Sequence, residues 1–166
     1  MSVTHDTTTT TPELSALLSD LVSVTHRLTR IAAQATGETT SPATWRTLSV
    51  LSSFGPMRLG ELAKQSRVSQ PTMTKIVANL NEVEWIRRIA VVDDARGWQI
   101  ALAPKGIKAL AEWRDRLGEA LTPMFDDLDT TEIDIISRAV DLLHECTELR
   151  SGAAGAASEG SAARAA

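Results

Sequence analysis

The chain has 166 residues, of which 43% are hydrophobic, 4% aromatic and 23% charged, and its formal net charge is -4. This length bounds the protein to one domain, or to one domain with an appendage. No apolar run approaches the roughly 18 residues of a membrane helix, and the N-terminus lacks the basic start and apolar block of a secretory signal. The single cysteine, Cys146, excludes an internal disulfide framework and favours a cytoplasmic location.

The charge is unevenly distributed along the chain. Residues 58–105 contain eight Lys or Arg and five Asp or Glu, net +3, whereas residues 106–166 contain six and twelve, net −6. Because the local field near phosphates matters more than total charge, this acidic protein can still bind nucleic acid through its basic segment. The alternative is that the local excess is ordinary surface variation.

Both ends of the chain are predicted to be disordered, and the helices lie between them. Residues 1–11 are threonine-rich, and residues 151–166 contain no apolar residue larger than Ala, so neither segment can bury enough surface to order itself. The first helix should begin at Pro12 and end at Gly37. The second should follow the N-cap and first-turn proline of Ser41-Pro42, and the Gly-Pro pair at 55–56 should end it.

A helix-turn-helix and a hairpin are predicted next. A short third helix covers residues 58–65, and Ser69 caps a fourth that ends near residue 83. Residues 85–92 and 98–102 favour strands, and the segment Asp93–Gly97 between them has turn chemistry.

Two further helices complete the predicted elements. Pro104 starts the first of them, and Pro123 should kink or end it. The last helix follows Asp129, with Glu132 in its first turn. The first helix and these last two each carry an apolar stripe, which predicts that the three helices pack together. A stripe alone does not distinguish an intrachain core from a dimer interface. Cys146 lies beside the last stripe, and we expect a buried structural cysteine rather than a redox sensor.

The fourth helix has the residue types of a DNA-recognition helix. Gln can pair bidentately with adenine, Ser and Thr can contact bases or phosphates, and a helix N-terminus offers free N–H groups to a phosphate. If this helix is considered without its surroundings, Ser69 is only a cap and the longer side chains are solvated. Together with the turn and the hairpin, the pattern favours DNA contact. The predicted contact residues are Ser69, Gln70, Pro71, Thr72, Thr74 and Lys75.

Arg96 is the corresponding candidate at the hairpin, where an arginine suits the minor groove. Asp94 is expected to anchor the turn and to orient Arg96, and Arg88 as well. A surface ion pair of Arg96 with Asp93 or Asp94 is expected to coexist with DNA contact. Further basic residues are candidate phosphate contacts, namely Arg58, Arg67, Arg87, Arg88 and Lys105.

This order of motifs resembles the MarR (multiple antibiotic resistance regulator) family of winged-helix transcription factors over nearly all of residues 12–150. The matching residues are Leu62-Ala63, Ser69 to Lys75, Leu80, Trp85-Ile86, Arg88, Asp94-Ala95-Arg96, Ile100, Leu102 and Gly106. Two positions depart from the family pattern. Glu84 stands where a glycine with positive φ is usual, so either Glu84 adopts that geometry or the helix ends differently. Ala103 replaces a threonine cap.

The resemblance implies a mainly α fold with a small β-hairpin wing. A winged helix-turn-helix would span residues 41–105, and residues 12–40 and 106–150 would form a helical dimerisation region. It further implies a homodimer on an inverted repeat of double-stranded DNA, and an effector pocket for a small aromatic or anionic molecule. His26 and Trp45 are the pocket candidates, although Trp45 is more simply a core residue and His26 a surface one.

Features of the sequence favour or disfavour three classes of function. A ligand-responsive repressor is favoured because Ser69 to Lys75 contains no acidic residue. A winged-helix protein-interaction module without sequence-specific DNA binding is the alternative. An enzyme is disfavoured because no Gly-rich phosphate loop, carboxylate pair or nucleophile constellation is visible. The three histidines have no metal-ligand spacing, and neither a metal nor a cofactor is expected.

Overall fold

The computed structural model describes residues 11–37, 39–91 and 94–162, and side chains in these ranges except at 11–12, 91, 94–96 and 148–162. A 3-10 turn, Thr122–Phe125, separates the last two helices. The elements in chain order are α1 Thr11–Ala35, α2 Pro42–Phe54, α3 Leu59–Gln65, α4 Gln70–Glu82, β1 Ile86–Val91, β2 Asp94–Leu102, α5 Pro104–Leu121 and α6 Thr130–Ala162. This order confirms the predicted mainly α fold with one hairpin. We call α2 through β2 the winged-helix lobe, and α1, α5 and α6 the helical layer.

The caps predicted from the sequence set the starts of two helices. The Ser41 hydroxyl accepts a hydrogen bond from the Thr44 amide at 3.1 Å, and the Ser69 hydroxyl accepts one from the Thr72 amide at 3.3 Å. Each satisfies an N–H group that the first helical turn leaves unpaired. Gly55 ends α2 with a φ of 76°, which glycine adopts at little cost.

The buried core lies in the winged-helix lobe. Leu48 of α2, Leu62 of α3 and the pair Met73 and Leu80 of α4 are almost fully buried, together with Ile86 and Ile100 of the hairpin. A backbone bridge also ties Met57, just before α3, to Ile100 through N–O distances of 3.1 and 2.8 Å. The core and this bridge hold the two helices of the helix-turn-helix against the hairpin.

The hairpin closes differently from the prediction. Its antiparallel register runs from Ile86 opposite Leu102 to Ala90 opposite Trp98, and then Val91 pairs with Asp94. The predicted turn over Asp93–Gly97 is therefore wrong for residues 94–97, which belong to β2, and Asp93 lies outside the described residues. The pairing of Val91 with Asp94 leaves residues 95–97 as a bulge, and a bulge redirects the local strand.

Tight packing joins α4, the hairpin and α5. Glu84 has a φ of 61°, so it adopts the left-handed geometry that the missing glycine would have taken. Ala103 caps α5 without a side-chain hydrogen bond, and Pro104 follows it in the first turn. A Cβ atom on Gly106 would overlap the carbonyl oxygen of Trp85, which explains why glycine occupies this position.

The helical layer is only partly packed within one chain. The predicted contact between α1 and α5 is present, but over residues 130–147 every α6 side chain is exposed, so the expectation that α6 packs with them is wrong for the single chain. Cys146 is also exposed, contrary to the prediction, because nothing in the described part of the chain covers this face.

The ends of the outer helices also differ from the prediction. The backbone of α6 continues to Ala162, so most of the tail predicted to be disordered is helical, in keeping with the strong helix propensity of alanine. Residues 163–166 lie outside the described residues. At the other end α1 begins at Thr11, so the predicted disorder of residues 1–11 is wrong for Thr11, and residues 1–10 lie outside the described residues.

Candidate DNA-binding surface and adjoining pocket

The predicted recognition helix, α4, has a buried face and an exposed face. Its buried side chains anchor it in the lobe and are Met73, Ile76, Val77 and Leu80. All six predicted contact residues are exposed and lie in its cap and first two turns, namely Ser69, Gln70, Pro71, Thr72, Thr74 and Lys75. The structure therefore brings them together at one end of one helix, which is the part of a recognition helix that meets base edges.

Local hydrogen bonds divide the roles of these side chains. The hydroxyl groups of Ser69 and Thr72 lie 2.8 Å apart at the cap, and the Thr74 hydroxyl donates to the Gln70 carbonyl at 3.0 Å. These hydroxyls already have partners in the helix, so they contribute fixed geometry and threonine methyl groups to the surface. The long side chains of Gln70 and Lys75 are the ones with the reach for base edges or phosphates.

The predicted phosphate contacts lie around this helix end. Arg58 is exposed just before α3, and Arg67 is exposed in the turn between α3 and α4, with a φ of 54°. Arg87 and Arg88 are exposed neighbours on β1, and neighbouring strand residues point to opposite faces of the hairpin. The two arginines therefore cannot both point to the same side.

Arg96 and Lys105 differ in what the structure shows. The backbone of Arg96 lies in the bulged part of β2. Its side chain and that of Asp94 lie outside the described side chains, so their roles remain predictions. Lys105 forms an ion pair with Glu84 at an N–O distance of 3.3 Å, with both side chains mostly exposed. Such exposed pairs contribute little stability, so Lys105 can exchange this partner for a phosphate.

A cavity of about 550 Å³ lies where α1 and α5 of the helical layer meet α2 of the lobe. It combines apolar surface with two arginines, and its lining residues are Thr29, Arg30, Ala33, Gln34, Thr40, Pro42, Trp45, Arg46, Ser49 and Trp113. The prediction placed Trp45 here, and Trp45 does line the cavity. His26 does not, because it is exposed on α1 one turn before the lining residues.

Three tryptophans form a stack beside this cavity. The ring of Trp45 lies 4.8 Å from that of Trp113 and 5.4 Å from that of Trp85, at interplanar angles of 8° and 29°. The indole N–H groups of Trp45 and Trp113 are buried, and within the described residues they have no acceptor. A buried donor without a partner costs free energy, so a rearrangement that supplies an acceptor would be favourable.

The sequence reasoning missed several residues of this cavity. The sequence did not point to Trp113, Arg30 or Arg46. The one available signal was that Arg30 lies one helical turn after His26, a predicted pocket residue, and so shares its helix face. Within the described part of the chain, no three His, Cys, Asp or Glu side chains are grouped so as to hold a metal ion. Over the same ranges, no helix is long and apolar enough to cross a membrane.

Comparison with known proteins finds relatives and a family model that match part of the chain. The model of the MarR family matches residues 40–97, which contain α2 to α4 and the start of the wing. An uncharacterized HTH-type transcriptional regulator of Mycobacterium bovis is 29% identical over 96 residues, or 58% of this chain and 67% of the relative.

Two solved structures show the same fold over most of the chain. A transcriptional regulator from Thermotoga maritima matches with a TM-score of 0.65 at 19% identity, over 82% of this chain and 96% of its own. A MarR family protein from Bacillus stearothermophilus matches with a TM-score of 0.58 at 20% identity, over the same shares. Residues 40–97 therefore match the MarR family model, and the fold over most of the chain is that of a MarR family protein.

Proposed function

We propose that this protein is a sequence-specific repressor that binds an inverted-repeat operator as a homodimer. The observation that supports this most directly is the exposed polar end of α4, where residues 69–75 include Gln70 and Lys75 and no acidic residue, within the one net basic segment of the chain. A helix of this kind fits the major groove, and the wing beside it fits the flanking minor groove.

The exposed stripes of the helical layer support the homodimer. Leu17 of α1 is 64% exposed, and Ile133 and Ile136 of α6 are 53% and 46% exposed. Large apolar side chains left this exposed along helix faces are typical of an interaction site. A two-fold pairing would bury the stripes and present two recognition helices, which is the arrangement that reads two half-sites about one helical turn apart.

The cavity supports release by a small aromatic or anionic effector. Trp45 and Trp113 offer aromatic surface, and Arg30 and Arg46 offer positive charge. The cavity spans the boundary between the lobe and the helical layer, so a bound molecule can favour one arrangement of the two over another. An effector lowers DNA affinity only if it binds the DNA-free arrangement more tightly.

Effector binding can be tested with a matched pair of probes. Benzoate is a small aromatic anion, and benzyl alcohol has a similar shape without the charge. Benzoate should change tryptophan fluorescence and weaken operator binding in the same concentration range, and benzyl alcohol should act more weakly. A fluorescence response without any change in DNA affinity would contradict effector release.

The test of DNA binding is selection of bound sequences from a random duplex pool, followed by a salt titration of the winner. Enrichment of an inverted repeat, bound at least about a thousandfold more tightly than random DNA, would support the proposal. Binding that depends on salt but not on sequence, or no binding at all, would favour the protein-interaction module instead.

A further inference from the structure

Gly60 occupies a position that helix chemistry does not explain. It is the second residue of α3, and it is not among the residues with a positive φ. Alanine adopts helical geometry readily and is a far better helix former than glycine. A need for space beside the helix, rather than for backbone freedom, therefore accounts for a glycine at this position.

The space around Gly60 is taken by the side chain of Gln70. A Cβ atom on Gly60 would lie 2.9 Å from Nε2 of Gln70, closer than real Cβ contacts allow. Gln70 is the first residue of the recognition helix, so its terminal amide lies across the start of α3. Because the obstacle is the end of a flexible side chain, a Cβ would displace this amide and leave the backbone in place.

We propose that Gly60 is a specificity-determining residue that acts through Gln70. Its missing side chain sets where the Gln70 amide lies when the recognition helix enters the groove. An amide reads a base through two hydrogen bonds of fixed geometry, so a displaced amide loses discrimination before it loses general affinity. This inference rests on the proposed function, because it requires Gln70 to read a base.

The test compares Gly60→Ala, Gln70→Ala and the double variant by sequence selection. Gln70→Ala should relax preference at one position of each half-site. Gly60→Ala should reduce preference at that same position by about tenfold, without lowering the melting temperature or altering binding to random DNA. In the double variant Gly60→Ala should add nothing, because the amide that it displaces is gone. Gly60→Ser should act like Gly60→Ala.

A matched control is Gly118→Ala in α5, where no described atom outside the local helix backbone lies within 4 Å of the added Cβ and base preference should stay unchanged. The inference is overturned if Gly60→Ala keeps the wild-type preference, if it weakens all sequences equally, or if its effect persists in the absence of Gln70. If the wild-type protein selects no sequence, the proposed function fails and this inference fails with it. If Gln70→Ala alone shifts the preference, only the role of Gly60 is rejected.

Discussion

The winged-helix lobe and the helical layer are built from similar amounts of apolar sequence but reach opposite states in one chain. In the lobe, Leu48 and Leu62 are completely buried. In the helical layer, Ala32 is the only fully buried apolar residue that α1 contributes within the described side chains, and Leu17 stays 64% exposed. Burial of one such side chain contributes about 1.5–3 kcal/mol. The core of the lobe is thus buried within one chain, with Leu110 of α5 contributing to it, whereas the exposed stripes of the layer need a second surface.

The largest expected effect tests how tightly the lobe is joined to the layer. Gly106→Ala places a methyl group against the Trp85 carbonyl, which also accepts a hydrogen bond from the Ala103 amide at 3.0 Å. That carbonyl cannot move without breaking this bond. We expect a loss of at least about 3 kcal/mol in the free energy of unfolding, measured by urea denaturation.

Gly118→Ala is the matched substitution on the same helix. Among the described residues, nothing outside the local helix backbone lies within 4 Å of the added Cβ, so we expect a gain of about 0.5–1 kcal/mol from helix propensity. Equal free energies of unfolding for Gly106→Ala and Gly118→Ala would contradict the contrast between tight packing where α5 meets the lobe and open space further along the helix.

The next largest effect tests whether a second chain covers the layer. Ile136→Glu places a charge in the exposed seam of α6, where a homodimer would bury it, and we expect dissociation to monomers with loss of operator binding. Ile135→Glu changes the same residue type at the next position, about 100° away around the helix, and should leave the dimer intact. Analytical ultracentrifugation distinguishes the two outcomes, and a fully dimeric Ile136→Glu variant would place the interface elsewhere.

The contrast also explains which parts of the molecule were predictable. The caps at Ser41 and Ser69 were predicted correctly because a cap depends on residues within one turn of each other. The apolar periodicity identified the helices of the layer, but a stripe does not state its partner, and so the burial of Cys146 was predicted wrongly. The hairpin turn was misplaced because composition marks turn residues but does not determine strand register.

The candidate site divides in the same way. The polar face of α4 is visible in the sequence because one helix carries all of it. The cavity requires α1, α2 and α5 to cross, and no local pattern shows that Trp113 stacks on Trp45, 68 positions away in the sequence. The contact between Gly60 and Gln70 likewise depends on the angle between α3 and α4.

A smaller effect separates the charge of the lobe from that of the layer. Arg96→Ala removes a cation from the wing, and we expect weaker binding to all sequences and a log–log salt slope reduced by about 1. Arg138→Ala removes the same charge from α6, where Arg138 pairs with Glu145 at 3.7 Å, and should leave the slope unchanged. If the two variants share one slope, Arg96 does not contact the DNA backbone.

The smallest effect concerns the joint between the recognition helix and the wing. Glu84 has a φ of 61°, a conformation that disfavours a residue with a Cβ atom, and its ion pair with Lys105 is too exposed to offset much of that strain. Glu84→Gly should therefore raise the free energy of unfolding by up to about 1 kcal/mol, despite the greater freedom of glycine in the unfolded chain. Glu82→Gly, at the last helical position of α4, should lower it by a similar amount, because glycine is a poor helix former. If thermal melts show that Glu84→Gly is stabilised and Glu82→Gly is destabilised relative to the wild type, the strain belongs to Glu84 itself. A loss of stability in both variants would mean that the hydrogen bonds at this joint, rather than its backbone geometry, determine how firmly the wing is held beside the recognition helix.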